Sequence, residues 1–163
     1  PDDRADVQII VARPDHRPVG GFVGHHLVDD PYVVVVAESH PLATRPEIEL
    51  AELVAERWID NDFSRGWCRA NLLEACTAAG FSPPFQVEAH DYPTALAFVA
   101  AGVGITVLPV LGTRHLPPGA VAVRVVRPTP MRSIHLVLRD AVATTPPALA
   151  VLDELRRQID QTM

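Results

Sequence analysis

The sequence predicts an α/β fold with a mainly parallel sheet, and three observations lead to that prediction. Segments of strand length and β-branched composition alternate along the 163 residues with segments of helical periodicity. The run YVVVVA, residues 32–37, is continuously apolar, which is typical of a strand covered on both faces. The segment DYPTALAFVAAGVGITVLP, residues 91–109, passes from a helix through Gly102 and Gly104 directly into a strand.

Composition and charge restrict the class of protein. Hydrophobic residues make up 48% of the chain and charged residues 21%, which is typical of a globular domain. The net charge of −6 provides no positive field for a polyanion, so we expect no nucleic-acid contact by this stretch itself. The sequence shows neither an apolar run of the ~18 residues that a membrane span needs nor a secretion leader. We therefore expect no membrane contact and a cytoplasmic location.

Three apolar segments open the chain and predict strands. ADVQIIV, residues 5–11, is short and contains β-branched residues. FVGHHLV, residues 22–28, leads to Asp29 and Asp30, and the run YVVVVA follows Pro31. We expect a strand in each segment, with the second strand ending at the acidic pair.

The next stretch predicts a helix, a strand and a second helix. IELAELVAE, residues 48–56, has helical spacing, and RWID, residues 57–60, resembles a short strand. The loop NDFS follows, in which Ser64 or Asp62 can cap the second helix. That helix carries an apolar stripe and ends at Gly80. The stripe consists of Cys68, Leu72, Cys76 and Ala79.

The glycine pair belongs to a chain reversal and not to a phosphate-binding loop. FQVEA, residues 85–89, predicts a strand, and Asp91 is placed to cap the helix that follows it. A phosphate loop needs a strand, then glycines, then a helix, whereas Gly102 and Gly104 follow a helix and precede a strand. We expect them to permit a positive φ or a close approach of helix to sheet.

The last part of the chain predicts two strands and a helix. VAVRVV, residues 121–126, and SIHLVLR, residues 133–139, are the strands. Pro146 and Pro147 open the helix, which has one apolar face.

No catalytic or metal motif emerges from the sequence. Ser64 lies in DFSRG, which lacks the first glycine of the G-x-S-x-G elbow, so helix capping or ligand binding fits it better than nucleophilic attack. The seven histidines form no H-E-x-x-H motif. Cys68 and Cys76, eight residues apart on one helix, would lie ~12 Å apart, too far for a disulfide. We expect no enzyme, no metal and no cofactor, and two buried thiols.

The carboxyl ends of the predicted strands are the candidate binding edge, because the next helix N-terminus there presents free N–H groups. The loop after RWID combines hydrogen-bonding groups with the apolar wall of Phe63, a mixture that suits a small organic acid. An ordinary polar loop is the alternative. The residues at this edge are Asn61, Asp62, Phe63, Ser64, Arg65, His90, Asp91 and Pro109.

Several segments, in order and spacing, resemble the effector-binding domain of LysR-type transcriptional regulators. They include HPLA at residues 40–43, AGF at residues 79–81, and D-x-x-T-x-L-x-x-V-A-A-G-x-G-I-x-x-L-P at residues 91–109. No single motif is specific, but their succession covers nearly the whole chain. The resemblance implies a fold like a type II periplasmic binding protein, with two lobes of mixed, mainly parallel sheet and an inducer held in the cleft.

The resemblance also implies domain bounds and site residues. Residues 28–127 would form the second lobe, and residues 1–27 with 128–163 a truncated first lobe. The family's inducer contacts would fall on the loop after RWID, at Asn61, Asp62, Phe63 and Ser64. They would also fall near the second crossover, at Thr129 and Pro130.

The function that the resemblance implies is sensing of a small organic acid or aromatic effector. The helix-turn-helix, the linker helix and the first part of lobe one have no counterpart here, so we expect a fragment. DNA would be bound only through that absent N-terminal domain, and the regulator would be a homodimer or homotetramer. A solute-binding protein of the same fold is the alternative, followed by an enzyme on that fold.

Overall fold

The structure is a computed structural model that describes residues 5–13, 17–18, 20–62 and 64–161. The chain divides into two compact units. The first consists of Pro1–Asp30 and Arg132–Met163, and the second of Pro31–Met131. The lobe bounds expected from the sequence lie within four residues of these divisions, and the assignment of the units as lobes stays a prediction.

The described elements are eight strands, three α-helices and three short 3₁₀ helices. The strands are β1 (Val7–Ala12), β2 (Phe22–Ala37), β3 (Glu47–Glu49), β4 (Trp58–Asp60), β5 (Phe85–Glu88), β6 (Thr106–Pro109), β7 (Ala120–Val126) and β8 (Met131–Arg139). The helices are α1 (Trp67–Ala78), α2 (Tyr92–Ala100) and α3 (Pro146–Asp160). The 3₁₀ helices are Pro41–Thr44, Leu50–Ala55 and Val110–Thr113.

The first unit is a small sheet with α3 on one face. β8 lies between β1, its antiparallel partner, and the first part of β2. Leu136 and Leu138 of β8 are fully buried against Ala148 and Leu152 of α3. The apolar face predicted for the last helix is therefore present.

The second unit contains two buried clusters on a mixed sheet. β2 pairs with β6 and β7 in antiparallel orientation, and β3 pairs with β7 in parallel orientation. β4 and β5 form a separate parallel pair. One cluster contains Trp58 and the stripe of α1, with Leu72 and Cys76 buried. The other contains Leu96 and Val99 of α2. The α/β class is confirmed, but β2 pairs with β6 and β7 in antiparallel orientation. Within the described residues, parallel pairing is found at β3–β7, at β4–β5 and at the single bridge between Trp58 and Ile105.

The prediction of two separate strands around Asp29 and Asp30 was wrong, because β2 is one strand of 16 residues. Pro31 lies inside this strand. The N–H of the next residue, Tyr32, donates to Pro130 O at 3.0 Å. Proline keeps an extended φ, so it does not end a strand where its missing N–H is not needed.

The short helix predicted for residues 48–56 is present only in part. Ile48 and Glu49 belong to β3, where Ile48 pairs with Val125 of β7, and Leu50–Ala55 form a 3₁₀ helix. The Glu49 N–H donates to Glu52 Oε1 at 2.9 Å and fixes the start of that short helix. Six residues give an α-helix few internal hydrogen bonds, so strand pairing of Ile48 prevails over the local helical spacing.

The chain reversal after α2 is confirmed in both of its predicted roles. Gly102 has a φ of +75°, which places it in the region that favours glycine. A Cβ added at Gly104 would lie 2.4 Å from the Arg57 carbonyl oxygen, so only glycine permits this approach of the two backbone segments. Ile105 then donates its N–H to the same carbonyl at 2.8 Å.

Within the described residues, no helix is both long enough and apolar enough to cross a bilayer.

Candidate functional site

Asn61 joins the end of β4 to the start of β6. Its side-chain amide donates to Thr106 Oγ1 at 2.8 Å and to Val107 O at 2.9 Å. The Thr106 hydroxyl in turn donates to Ile59 O at 3.0 Å. Both hydrogen bonds of the Asn61 amide go to β6, so the side chain is fixed at the carboxyl end of β4.

Asp62 organises the turn between β4 and α1. It accepts a hydrogen bond from the Ser64 hydroxyl at 2.6 Å and one from the Gly66 N–H at 3.1 Å. Arg65 has a φ of +53°, which is unusual for a residue with a side chain. The N-cap of α1 is Gly66, so the prediction of Ser64 or Asp62 as the cap was wrong. The Asp62 carboxylate instead stabilises the turn that precedes the helix. Phe63 lies outside the described residues.

An ion pair lies next to this turn. Arg69 Nε donates to Asp60 Oδ2 at 2.6 Å, and the exposed fractions of the two side chains are 20% and 8%. The other Asp60 oxygen accepts the Asp62 N–H at 3.2 Å, and the Arg69 guanidinium lies 4.8 Å from the centre of the Phe85 ring. Sequence reasoning missed this pair, because it used α1 only for its apolar stripe.

A small cavity of about 10 Å³ lies beside Asn61, which is room for one water molecule. Tyr32 forms one wall, and its hydroxyl donates to Cys68 O at 3.0 Å. Burial raises the pKa of Tyr32, so the phenol stays neutral. The cavity is lined by Tyr32, Ile59, Asp60, Asn61, Cys68, Arg69, Leu72, Phe85, Tyr92, Val107 and Pro109.

Tyr32 also lines a larger pocket of about 430 Å³ in the second unit. Thr129 lies at this pocket and donates its hydroxyl to Val125 O at 2.8 Å. The neighbouring Pro130 is buried, and its carbonyl accepts the Tyr32 N–H. The lining is apolar except at two side chains, Arg124 and Thr129. Its other members are Pro31, Tyr32, Val33, Val110, Val125 and Met131.

The structure brings some of the predicted site residues together. Asn61 and Pro109 line the small cavity, and Thr129 lines the larger pocket, with Tyr32 common to both. Asp91 caps α2 by accepting the Thr94 N–H at 2.8 Å, and this hydrogen bond lowers the pKa of its carboxyl group. Tyr32 was missed because its run was interpreted only as a buried strand.

The family to which the chain belongs follows from one match. Residues 2–160 match the model of the LysR substrate-binding domain. The chain belongs to this family.

Individual members of the LysR family agree with this result. The hydrogen peroxide-inducible genes activator of Escherichia coli O157:H7 is 33% identical over 124 residues, which is 72% of this chain and 39% of that protein. The regulatory domain of CcmR from Synechocystis PCC6803, solved in complex with 2-PG, superposes with a TM-score of 0.76 at 18% identity. The superposition covers 96% of this chain and 74% of that chain. This LysR chain spans about two fifths of the length of the Escherichia coli activator.

The effector-binding domain of BenM, solved with its effector benzoate, has the same TM-score of 0.76 at 22% identity. The superposition covers 96% of this chain and 69% of that one. At these identities the two structures show the fold of the LysR domain, which confirms the expected likeness to periplasmic binding proteins.

The two thiols of this LysR domain differ in environment. Cys68 is half-buried at the start of α1, whereas Cys76 is fully buried in the cluster around Trp58. Burial raises the pKa of the Cys76 thiol to about 12. Since the thiolate is the reactive form, Cys76 is a poor nucleophile in the folded protein. Within the described residues, no group of three or more His, Cys, Asp or Glu side chains is arranged to hold a metal ion.

Thiol labelling tests this difference. We expect iodoacetamide at pH 7.5 to modify Cys68 of the folded protein and to leave Cys76 unmodified over the same time, because the latter is buried and protonated. Peptide mass spectrometry gives the extent at each residue, and labelling in urea, where both should react, is the control. Equal rates at the two thiols of the folded protein would contradict the burial of Cys76.

Proposed function

We propose that this LysR domain senses a small organic acid or aromatic effector, held non-covalently. The proposal is that the domain belongs to a longer cytoplasmic transcriptional regulator that acts as a homodimer or homotetramer. DNA would be bound by another part of that protein. Family membership and a ligand-sized pocket beside Tyr32 support the proposal. The structures of CcmR and BenM were solved with 2-PG and with benzoate, respectively.

The observation that carries the proposal is the composition of the pocket beside Tyr32. Its volume of about 430 Å³ lies in the range of small-molecule sites, and its wall is formed mainly by valines and Met131. Arg124 is exposed at this pocket and makes no ion pair within the part of the chain that the structure describes. An arginine above an apolar wall suits a carboxylate with an apolar body.

We further propose that Asn61 and Pro109 support the effector site indirectly, because the small cavity that they line shares Tyr32 with it. The small cavity that they line is too small for an organic effector, and Arg69 there is already paired with Asp60. An effector seated against Tyr32 would therefore extend toward Thr129 and Arg124 and not toward Arg69. Such a ligand favours the conformation to which it binds more tightly, and this shift in population is the signal passed to the rest of the protein.

The test begins with a thermal-unfolding screen of aromatic and aliphatic carboxylates, each compared with its neutral amide. The best binder is then titrated into the parent protein and into two variants, Arg124→Gln and the control Arg156→Gln. The control removes a charge from the exposed face of α3. We expect Arg124→Gln to weaken binding about threefold to tenfold, because it removes a charged hydrogen-bond donor. The control should bind like the parent, and equal affinity of Arg124→Gln and parent would remove this pocket from the effector site.

A thiol-based response is the second candidate function. The name of the Escherichia coli relative refers to hydrogen peroxide, and Cys68 lines the small cavity. The buried, protonated Cys76 argues against a disulfide switch in this conformation. Treating the protein with hydrogen peroxide and counting free thiols separates the two candidates, since rapid loss of both thiols would support the redox response.

A further inference from the structure

A second pocket, of about 460 Å³, lies in the second unit at the start of α2 and the 3₁₀ helix Val110–Thr113. It shares no lining residue with the pocket beside Tyr32. Its wall is mainly apolar, and its volume is that of a small-molecule site. The apolar lining residues are Tyr92, Pro93, Leu96, Leu111 and Pro117.

Two polar side chains line this pocket. They are Arg114 and His115, and both are exposed. Among the described lining residues there is no aspartate or glutamate. Asp91, next to Tyr92 in the chain, is engaged as the cap of α2. The pocket therefore combines an apolar wall with one arginine, which complements an organic anion better than a cation.

Gly112 shapes the pocket by giving room to the Tyr92 ring. A Cβ at this position would lie 2.9 Å from Tyr92 Cδ2 and Cε2 and 2.7 Å from Leu108 Cδ1. The ring thus lies directly against the backbone of the 3₁₀ helix, where a larger residue would displace it. Tyr92 also lines the small cavity beside Asn61, so a ligand in the second pocket would contact a wall of that cavity.

We propose that this second pocket is a binding site for a small apolar monocarboxylate, separate from the effector site beside Tyr32. Arg114 binds the carboxylate, and the apolar body lies against Leu96 and Leu111. The inference depends on the residues of this pocket alone and holds whether or not the effector site is placed correctly.

The probe is 1-naphthoate, with 1-naphthamide as the neutral ligand of the same shape. Methyl NMR spectra of the protein are recorded during titration, and we expect the leucine methyls of Leu96 and Leu111 to shift in a saturable manner. Arg114→Gln, an exposed position, should weaken binding of 1-naphthoate about threefold or more and leave that of 1-naphthamide unchanged. Arg156→Gln is the matched control and should bind both ligands like the parent.

Three results would overturn the proposal. The first is the absence of any saturable shift at Leu96 and Leu111. The second is a set of shifts confined to Val33, Val110 and Val125, which would place the probe in the pocket beside Tyr32. The third is equal 1-naphthoate affinity in Arg114→Gln and parent. Because the two pockets have different reporter methyls, failure here and failure of the effector site are told apart in one spectrum.

Discussion

Arg69→Met is expected to lower the free energy of unfolding by about 3 kcal/mol, because it leaves the Asp60 carboxylate buried without its cation. Asp60 is only 8% exposed at its side chain, and Arg69 contributes a hydrogen bond of 2.6 Å to it. Methionine keeps much of the stem of Arg69 but also loses the contact of the guanidinium with the Phe85 ring. Urea unfolding followed by tryptophan fluorescence measures the change, with Trp58 in the core as a reporter.

The matched control is Arg45→Met, which breaks an exposed ion pair. Arg45 lies 2.5 Å from Glu52, and both side chains are more than a third exposed, so solvent screens the interaction. We expect the unfolding midpoint of this variant to stay close to that of the parent. If Arg69→Met were as stable as Arg45→Met, the Asp60–Arg69 pair would not hold the loop after β4 in place.

Gly104→Ala is the second large effect that we expect, with a loss of about 3 kcal/mol. The added methyl group would lie 2.4 Å from the Arg57 carbonyl oxygen, which is backbone and also accepts the Ile105 N–H. Relief requires β4 or the start of β6 to move, and Asn61 links the end of β4 to the start of β6. Thermal unfolding monitored by circular dichroism gives the difference.

Gly20→Ala is the control for this substitution. A Cβ at Gly20 would have no heavy atom within 4 Å, so the methyl group adds no clash. Its effect should be small, since alanine mainly restricts the unfolded chain at such positions. A loss at Gly104 no larger than the loss at Gly20 would show that the two strands do not approach as closely as described.

The chain reversal after α2 could be predicted from the sequence because residue type indicates the role of its main positions. Asp91 caps the helix next to it and Gly102 takes a positive φ, which are local effects, whereas Gly104 is required by the approach of the distant Arg57 carbonyl. Predictions failed where a distant strand decides, namely in the division of β2, at the start of the helix expected from residue 48 and in the mainly parallel order of the sheet. Ile48 is placed by Val125, and the continuity of β2 past Pro31 depends on strands that come much later in the chain.

The candidate site could be predicted only in part for the same reason. Asn61 follows β4 and Pro109 is the last residue of β6, and the rule for carboxyl ends of strands finds such residues without a structure. Tyr32, Arg69 and Arg124 have no local signal in the sequence that marks them as site residues. Tyr32 begins an apolar run, Arg69 lies on α1 and Arg124 lies on β7. Their contribution arises when β2, α1 and β7 are placed by tertiary contacts.

The location of a bound acid is the most direct test of the proposed effector site. Met131 lines the pocket beside Tyr32, and its terminal methyl group gives a sharp NMR signal. With the best carboxylate from the thermal screen bound, we expect intermolecular nuclear Overhauser effects from the ligand to the methyl groups of Met131, Val33 and Val110. A tightly bound carboxylate whose contacts exclude all three methyl groups would contradict the proposal that this pocket holds the effector.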